Sequence, residues 1–577
     1  MSARSPRISL AVKRTTSATP LQFLLAVPFS LSMLATTLDA GLPSFPNWTT
    51  ESNIWFADYG ISVATAGDVN GDGYSDLVIG ARFLSNGQPA EGRAYLYLGS
   101  NTGLASGPAW FVESDQDSAY FGYSVATAGD VDGDGFDDVL VGSYEYSNGE
   151  EAEGAAFLYS GSPSGPSISP VWSFEGDKPR AWTGISVATA GDVNGDGYSD
   201  VLVGAGAFSN EETSEGRAFL FLGSQNGLGT TPAWSAESHQ GFAYFGISLG
   251  TAGDVNGDGY DDVLIGSALY DNGEENEGRA FLYLGSASGL SATPAWTAES
   301  NQAEARFGWS VGTAGDINGD DYADIIIGAL EYDGTMMDQG RAFVFHGSAA
   351  GLAPLPNWIA TSDQAGANFG FPVATAGDIN DDGFDDVVIG AFLYDRGQTD
   401  EGAVFMYLGS ATGLHVSADW TVDGNQSRCE FGHSTATAGD VNGDGVSDLV
   451  VGAPAHDNGQ VNEGRVTIYH GAPDVLGGET APTLPAFYGI EPGRPNPFKT
   501  ATALRFAMRR AGSACLEIVN VVGQRVILLA DGPLEAGSHV AHWDGTDAHG
   551  RRVGAGVYFA RLTQPEGVTV QRLLLLR

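Results

Sequence analysis

The chain has 577 residues, 42% of them hydrophobic, and a formal charge of -45, which is ample apolar material for a large core and a second domain. The charge is uneven, summing to +3 over residues 1–40, -52 over 41–485 and +4 over 486–577. So acidic a middle repels nucleic acid and anionic lipid, and neither is expected as a partner.

At the N-terminus, Arg4, Arg7, Lys13 and Arg14 precede an apolar stretch from Leu21 to Ala35, and Ala40 stands just before Gly41. That order is the pattern of a secretory signal peptide over residues 1–40. An uncleaved anchor is the alternative, but Gln22, Pro28, Ser30 and Ser32 interrupt the run, which falls short of a usual span. Bacterial-type export to the medium or the outer cell surface is expected, with no membrane span once the signal is removed. Cys429 and Cys515 fall in different domains and do not suggest a disulfide framework.

From residue 41 the chain repeats. Seven times, at an interval of 62 residues, it writes an aspartate-rich loop of the form Asp-x-Asn-Gly-Asp-Gly-x-x-Asp, and a period of this kind marks one supersecondary unit copied along the chain. Alternate side chains of a tight turn supply the oxygens that a hard dication needs, and glycines allow the chain to curl. The expected ligands of the first loop are Asp68, Asn70, Asp72 and Asp76, with the backbone carbonyl at Tyr74. Those of the second are Asp130, Asp132, Asp134, Phe136 (carbonyl) and Asp138. The third and fourth use Asp192, Asn194, Asp196, Tyr198 and Asp200, then Asp254, Asn256, Asp258, Tyr260 and Asp262. The fifth and sixth use Asp316, Asn318, Asp320, Tyr322 and Asp324, then Asp378, Asn380, Asp382, Phe384 and Asp386. The seventh uses Asp440, Asn442, Asp444, Val446 and Asp448. Up to seven calcium ions are expected. The twelfth position of the first loop is Ile79 rather than glutamate, so this is not an EF-hand. Polar hairpin turns are the alternative, and seven copies argue against it. Asp321 and Asp381 replace a loop glycine in the fifth and sixth copies, and aspartate tolerates the left-handed geometry required there.

Each unit also holds four strand-like segments, in the first copy Ile61 to Gly67, Asp76 to Ala81, Arg93 to Leu98 and Pro108 to Val112, and four strands per repeat make a propeller blade. Trp48, Trp110, Trp172, Trp234, Trp296, Trp358 and Trp420 mark the fourth strand, and no tryptophan follows the seventh loop. The strand bearing Trp48 is therefore expected to cross the seam and complete the last blade, closing the ring without an open edge. The fold class is all-β: a seven-bladed β-propeller over residues 41–476, a linker at 477–487 and a small Ig-like β-sandwich over 488–577.

The aromatic-Gly starts (Tyr59-Gly60, Phe121-Gly122, Phe245-Gly246, Phe307-Gly308, Phe369-Gly370 and Phe431-Gly432, with Thr183-Gly184 the exception) and the Gly-Ala step after the loop resemble the FG-GAP repeat of integrin α-subunit propellers. The resemblance implies calcium on a lower face and partners on the opposite one, at loops such as Arg82 to Glu91 and Glu51 to Tyr59. At the C-terminus, Pro495-Asn496-Pro497-Phe498, Trp543-Asp544-Gly545 and Gly556-Val557-Tyr558 resemble the flagellar hook-assembly Ig-like module and the sorting domain of type nine secretion. That likeness implies contact with an export machinery, and a purely structural cap is the alternative.

Catalysis is not expected. Nearly every carboxylate pair recurs with the blades, whereas chemistry needs one asymmetric site. The sequence has no Gly-x-Ser-x-Gly elbow, His-Glu-x-x-His or phosphate loop. His346, His470 and His433 stand where other blades carry Leu or Ile, as strand-end substitutions rather than ligands. The expected function is an exported, calcium-binding adhesion or binding module whose partner, a protein or a glycan, meets the loops that do not repeat: Trp55 and Phe56, Asp117 and Tyr120, Lys178, Arg180 and Trp182, Phe242 and Tyr244, Glu304 and Arg306, Arg428 and Glu430. The alternative is a secreted hydrolase or lyase using the upper face or the central channel. The recurring Glu-Gly-Arg step (Arg93, Arg217, Arg279, Arg341, Arg465) is read as an ion pair or stacking contact within the blade.

Overall fold

The computed structural model describes residues 42–473 and, nearer the C-terminus, 489–490, 498–499, 502–508, 512–521, 523–534, 537–549, 551–564 and 567–576. The signal peptide and the linker fall outside the described residues, as do Pro495 to Pro497. The described residues form strands and no helix. None of them therefore lies in a helix long and apolar enough to cross a membrane.

Strand β1 is Trp48–Glu51, and the first full unit follows with β2 (Tyr59–Gly67), β3 (Asp76–Ala81), β4 (Arg93–Tyr97) and β5 (Trp110–Glu113). β2 to β5 form an antiparallel sheet in chain order, and the same four-stranded sheet recurs in each of the six units that follow. The inner strand is made of small residues, as in the Ala64-Thr65-Ala66-Gly67 end of β2, because seven inner strands crowd together at the axis. β3 and its six counterparts are buried at every position. They are the middle layer of sheets packed on both faces, so their sequences read as continuous apolar runs.

The seventh sheet lacks a fourth strand of its own, and β1 supplies it, pairing Trp48 with Ile468, Thr49 with Thr467, Thr50 with Val466 and Glu51 with Arg465. The inner strand Ser434–Gly439 of that sheet lies beside β2, so the ring closes. The tryptophans stitch one blade to the next. Each indole meets an aromatic ring of the following blade edge-on, as Trp48 does Tyr97 at 5.0 Å and Trp420 does Tyr469 at 5.0 Å. Each indole N–H also donates to a carbonyl of that blade, Trp110 to Ser167 at 2.9 Å and Trp234 to Ser291 at 3.0 Å. Trp420 finds its acceptor at Pro43 (3.3 Å), just ahead of β1, so the seam is built like every other junction.

Blades approach so closely at one point that only glycine fits. A Cβ on Gly204 would stand 2.1 Å from the carbonyl oxygen of Gly246 in the next blade, and one on Gly80 would stand 1.9 Å from that of Gly122. Both obstacles are backbone and cannot rotate away. Gly204→Ala is expected to cost about 1–3 kcal/mol, as overpacking does, read as a lower denaturation midpoint with an unchanged slope.

Near the C-terminus, two antiparallel sheets share one core. One joins Gly489–Ile490, Thr502–Met508 and Gly537–Trp543, and the other orders Arg525–Leu534, Gly512–Asn520, Gly556–Gln564 and Gly567–Leu575. Phe498, Leu504, Ile518, Trp543, Leu562 and Leu573 fill the space between them. Glu517 is buried on this sandwich between Arg525 and Arg561, at 2.6 and 2.7 Å.

Candidate metal sites and the opposite face

Every aspartate loop joins the inner strand of a sheet to the next strand, so all seven lie at one end of the propeller, called lower here. In the first, Asp68 stands at the centre of the curl: its Oδ1 accepts the N–H groups of Gly71 (2.7 Å) and Asp72 (3.1 Å), and its Oδ2 accepts that of Gly73 (2.8 Å). Asn70 and Asp72 each accept an N–H two residues on. Asp76 is fully buried and anchored by Val69 N (3.1 Å) and Gly99 N (2.9 Å). In the other loops the central aspartate, from Asp130 to Asp440, likewise accepts the N–H groups four and five residues on. Asp321 and Asp381 occupy the left-handed region, with φ of 69° and 56°, so both departures preserve the backbone of the curl.

The donor set fits a hard dication, since it consists only of oxygens, and each carboxylate keeps lone pairs beyond those its backbone bonds use. Asp130, Asp132 and Asp134 bring ligand atoms within 4.8 Å of one another. Electrostatics points the same way. Burial pushes the carboxyl of Asp76 up to about 7, with a further contribution from the nearby charges of Asp72 and Asp68. Asp138, Asp200, Asp262 and Asp324 share that value, and Asp448 reaches about 8. An acid buried in each of seven loops, among other acids, is a site that a cation would relieve.

Periodicity alone did not reveal how the loops are joined. The N–H of Asp137 in the second loop donates to the carbonyl of Asp68 in the first (3.2 Å), and the equivalent bond recurs from Ser199 to Asp130, Asp261 to Asp192, Ala323 to Asp254, Asp385 to Asp316 and Ser447 to Asp378, closing with Ser75 to Asp440 (3.0 Å). A second belt runs beside it, from Ser162 to Val69 and onward to Ser100 and Val441. The aromatic residue that ends each loop also covers its neighbour: a Cβ on Gly71 would lie 2.6 Å from the ring of Phe136, and one on Gly443 2.3 Å from that of Tyr74. The position facing the sixth loop in this way is Val446, the one loop-closing residue that is not aromatic. The space that valine leaves explains why aspartate stands at 381 where other loops require glycine. The signal was in the sequence, but at an offset of 65 residues rather than 62.

At the upper end lie the blade-to-blade loops and those that follow β3 and its counterparts. Trp55, Phe56 and Phe242 are more than half exposed. Tyr120, Trp182 and Tyr244 are half-buried in a crescent of rings. Tyr120 meets Phe83 at 5.1 Å and Tyr144 at 5.5 Å, and Trp182 stacks on Tyr244 at 5.8 Å, only 20° from parallel. The crescent draws on positions 58, 61 and 82 of successive blades together with Phe83. Arg82 lies within it, paired with Asp58 at 2.9 Å and 4.5 Å above Phe83. Of the charged residues expected there, Arg180 pairs with Glu151, Arg306 with Glu331, and Lys178 lies over Phe208. Burial raises the carboxyl of Glu430.

The Glu-Gly-Arg step proves to be both ion pair and stacking contact: Arg279 bonds Glu299 at 3.0 Å while lying 5.3 Å over Phe281. In the fifth blade Thr361 replaces the glutamate, and Arg341 stacks closely on Tyr332, at 3.9 Å. Further acidic groups gather at this edge, Glu91 with Glu113 and Asp115, and Glu215 with Glu237 and His239. His433 packs between Phe371 and Phe392, and burial holds its pKa down at about 3.

Comparison with known families matches the FG-GAP repeat at residues 59–97, 121–159, 183–221, 245–283, 307–345 and 431–469. The chain carries FG-GAP repeats. The third matches despite its Thr183-Gly184 start, and the sixth unit, outside the matches, still builds the same sheet from Val373–Gly377 to Trp420–Asp423. This FG-GAP propeller is similar to integrin alpha-5 of Xenopus laevis (26% identity, 54% of this chain, 31% of the relative). It is also similar to integrin alpha-V of Gallus gallus (32%, 41% of this chain, 23% of the relative) and integrin alpha-IIb of Mus musculus (36%, 28% of this chain, 16% of the relative). The chain thus spans less than a third of the length of these relatives. A fungal alcohol oxidase of the AA5 family aligns over 92% of the chain at 12% identity with a TM-score of 0.42, too distant to bear on chemistry.

Proposed function

We propose that this FG-GAP propeller is an exported, calcium-held binding or adhesion module without catalytic activity, which engages a protein or glycan through its upper face. The metal ligands would be the five residues of each loop, with the lower face as scaffold. The C-terminal sandwich would direct passage to the surface or the medium.

The observation that carries the reading is the backbone geometry of the upper loops. Phe56, Tyr120, Trp182, Phe242 and Tyr244 all adopt left-handed φ, between 53° and 63°. Bulky residues pay on the order of 1–3 kcal/mol each for that conformation, and glycine would adopt it freely. A chain with 82 glycines nevertheless keeps aromatic side chains there, on the face where its repeats diverge. The corresponding Ser118, Arg180, Glu304 and Arg428 share this φ, so the loops keep one backbone and vary the side chain they present, which supports contact as their role.

The full chain in calcium, applied to protein and glycan arrays, is expected to bind a defined set of ligands. The double variant Trp182→Ala, Tyr244→Ala should weaken that binding at least tenfold while leaving the melting temperature within a few degrees. Unchanged binding would place the partner elsewhere, and release of product from a polysaccharide or phospholipid panel would establish the enzymatic alternative instead.

A further inference from the structure

The seventh sheet differs from the other six at one position of its third strand. Along the third strand, the position after the recurring Arg-x step is aromatic in six blades, at Tyr95, Phe157, Phe219, Phe281, Phe343 and Phe405, and in the seventh it is Thr467. In the four other blades that carry the arginine this ring lies under it, as Tyr95 lies 5.3 Å from Arg93 and Phe219 5.2 Å from Arg217. Arg465 has a threonine there. Beside Thr467 lies a cavity of about 540 Å³, lined among others by Thr49, Glu51, Asn53, Tyr97, Arg465 and Thr467. In the corresponding groove between the fourth and fifth blades, Thr297, Glu299 and Asn301 face Phe343 and Phe345, Phe281 holds the place of Thr467, and the volume is about 270 Å³. The larger volume lies well within the range of small-molecule sites.

The polar groups of the cavity are fixed and electrically balanced. Arg465 donates through Nε and one terminal nitrogen to Oε1 of Glu51, at 2.7 and 2.5 Å, and Asn458 donates to the other oxygen of Glu51 at 2.7 Å. The second terminal nitrogen of Arg465 bonds no acceptor among the described residues. The hydroxyl of Thr50 shares a bond with that of Tyr97 (3.1 Å), which in turn accepts from Tyr59 (2.9 Å). Buried His456 stands behind Glu51 at 3.9 Å, held uncharged because burial and then Arg465 keep its pKa down at about 4.

We propose that this seam cavity is a binding site for a neutral, hydroxyl-rich ring: a single pyranose or the terminal sugar of a glycan. Hydroxyl groups both donate and accept, and the cavity offers a guanidinium edge, carboxylate oxygens, threonine hydroxyls and the Asn53 amide within one pyranose-sized space. A free anion is disfavoured, because Glu51 already neutralises Arg465 and the surrounding propeller carries -52. A cation is disfavoured by the guanidinium itself. The substitution beside it occurs once among the seven third strands, and the cavity meets the upper loops at Glu51 and Asn53, without Trp182 or Tyr244 in its lining.

The test uses the full chain in calcium and saturation-transfer NMR against methyl glycosides of glucose, galactose, mannose and N-acetylglucosamine, with glucuronate and glucose 6-phosphate alongside. At least one neutral glycoside should give signal with the native protein. Thr467→Phe, which restores the ring of the other blades, should lower its affinity tenfold or more. The pairing of Phe281 with Thr297 shows that such a ring is accommodated opposite a threonine. Arg465→Gln, which keeps the cavity and removes the donor fork, should have a similar effect and provides the reading if Thr467→Phe does not fold. Absence of signal from every neutral glycoside, signal from the charged sugars alone, or equal affinity in both variants would each overturn the proposal. The Trp182→Ala, Tyr244→Ala double variant should keep the seam signal, which separates failure here from failure of the upper-face reading.

Discussion

Chelation of calcium from the full chain will lower its melting temperature by about 10 °C or more, and the drop will be greater at pH 8 than at pH 5.5. One site at 100 times its Kd contributes about 2.7 kcal/mol, so even two filled loops supply about 5 kcal/mol, comparable to the net stability of an ordinary domain. The pH term follows from the buried loop-closing aspartates. Their folded pKa values, about 7 for Asp76, Asp138, Asp200, Asp262 and Asp324 and about 8 for Asp448, lie above the ordinary carboxylate value of about 3.9. Without metal, the folded state therefore holds protons that the unfolded state releases. Its stability is full below about pH 4 and is lost as pH rises through 7 to 8. Calcium would require the ionised form, so it should restore most where the chelated protein has lost most. Melting curves at four pH values, each with calcium and with chelator, check both parts. Coincident curves at every pH would remove calcium from the account, and a chelated protein as stable at pH 8 as at pH 5.5 would contradict the burial argument.

Removing residues 42–51 will open the ring. The seventh sheet would lose its four paired residues of β1, the Glu51–Arg465 contact, the Trp48–Tyr97 ring pair and the acceptor for Trp420. The Arg465–Tyr469 strand would become an unpaired edge next to buried apolar surface, the arrangement most prone to add further chains. The truncated protein should elute as higher oligomers and melt at least 10 °C lower, as measured by size-exclusion chromatography with light scattering and by calorimetry. Adding a synthetic peptide of residues 42–53 should shift it back toward a monomer. A monomer of native stability after truncation would mean that the seam contributes little.

Much of this was legible in the sequence because the chain repeats itself. A tryptophan every 62 residues gave the blade count, and the one missing at the end gave the strand that crosses the seam. Repetition also hid things, since it reports what the copies share and not what passes between them. The bond from Asp137 to Asp68 joins residues 69 apart, and the exchange of Gly for Asp381 opposite Val446 is visible only once the blades are placed side by side. The aromatic residues of the upper loops were correctly singled out as non-repeating, but exposure could not be read from type. Trp55 and Phe242 face solvent, whereas Trp182 and Tyr244, at equivalent positions of successive blades, lie against each other. Thr467 drew no attention as a single polar residue in a strand, and its meaning comes from the ring that is missing beside Arg465.

The two hydrogen-bonded belts of the lower face also bear on mechanics. A tether pulling on the upper loops would tend to splay the blades like the staves of a barrel. To part any two of them it must break the loop-to-loop bonds that join that pair, and because Ser75 meets Asp440 there is no first blade from which peeling can begin. The lower face therefore acts as a hoop, spreading a local tug around the whole circumference.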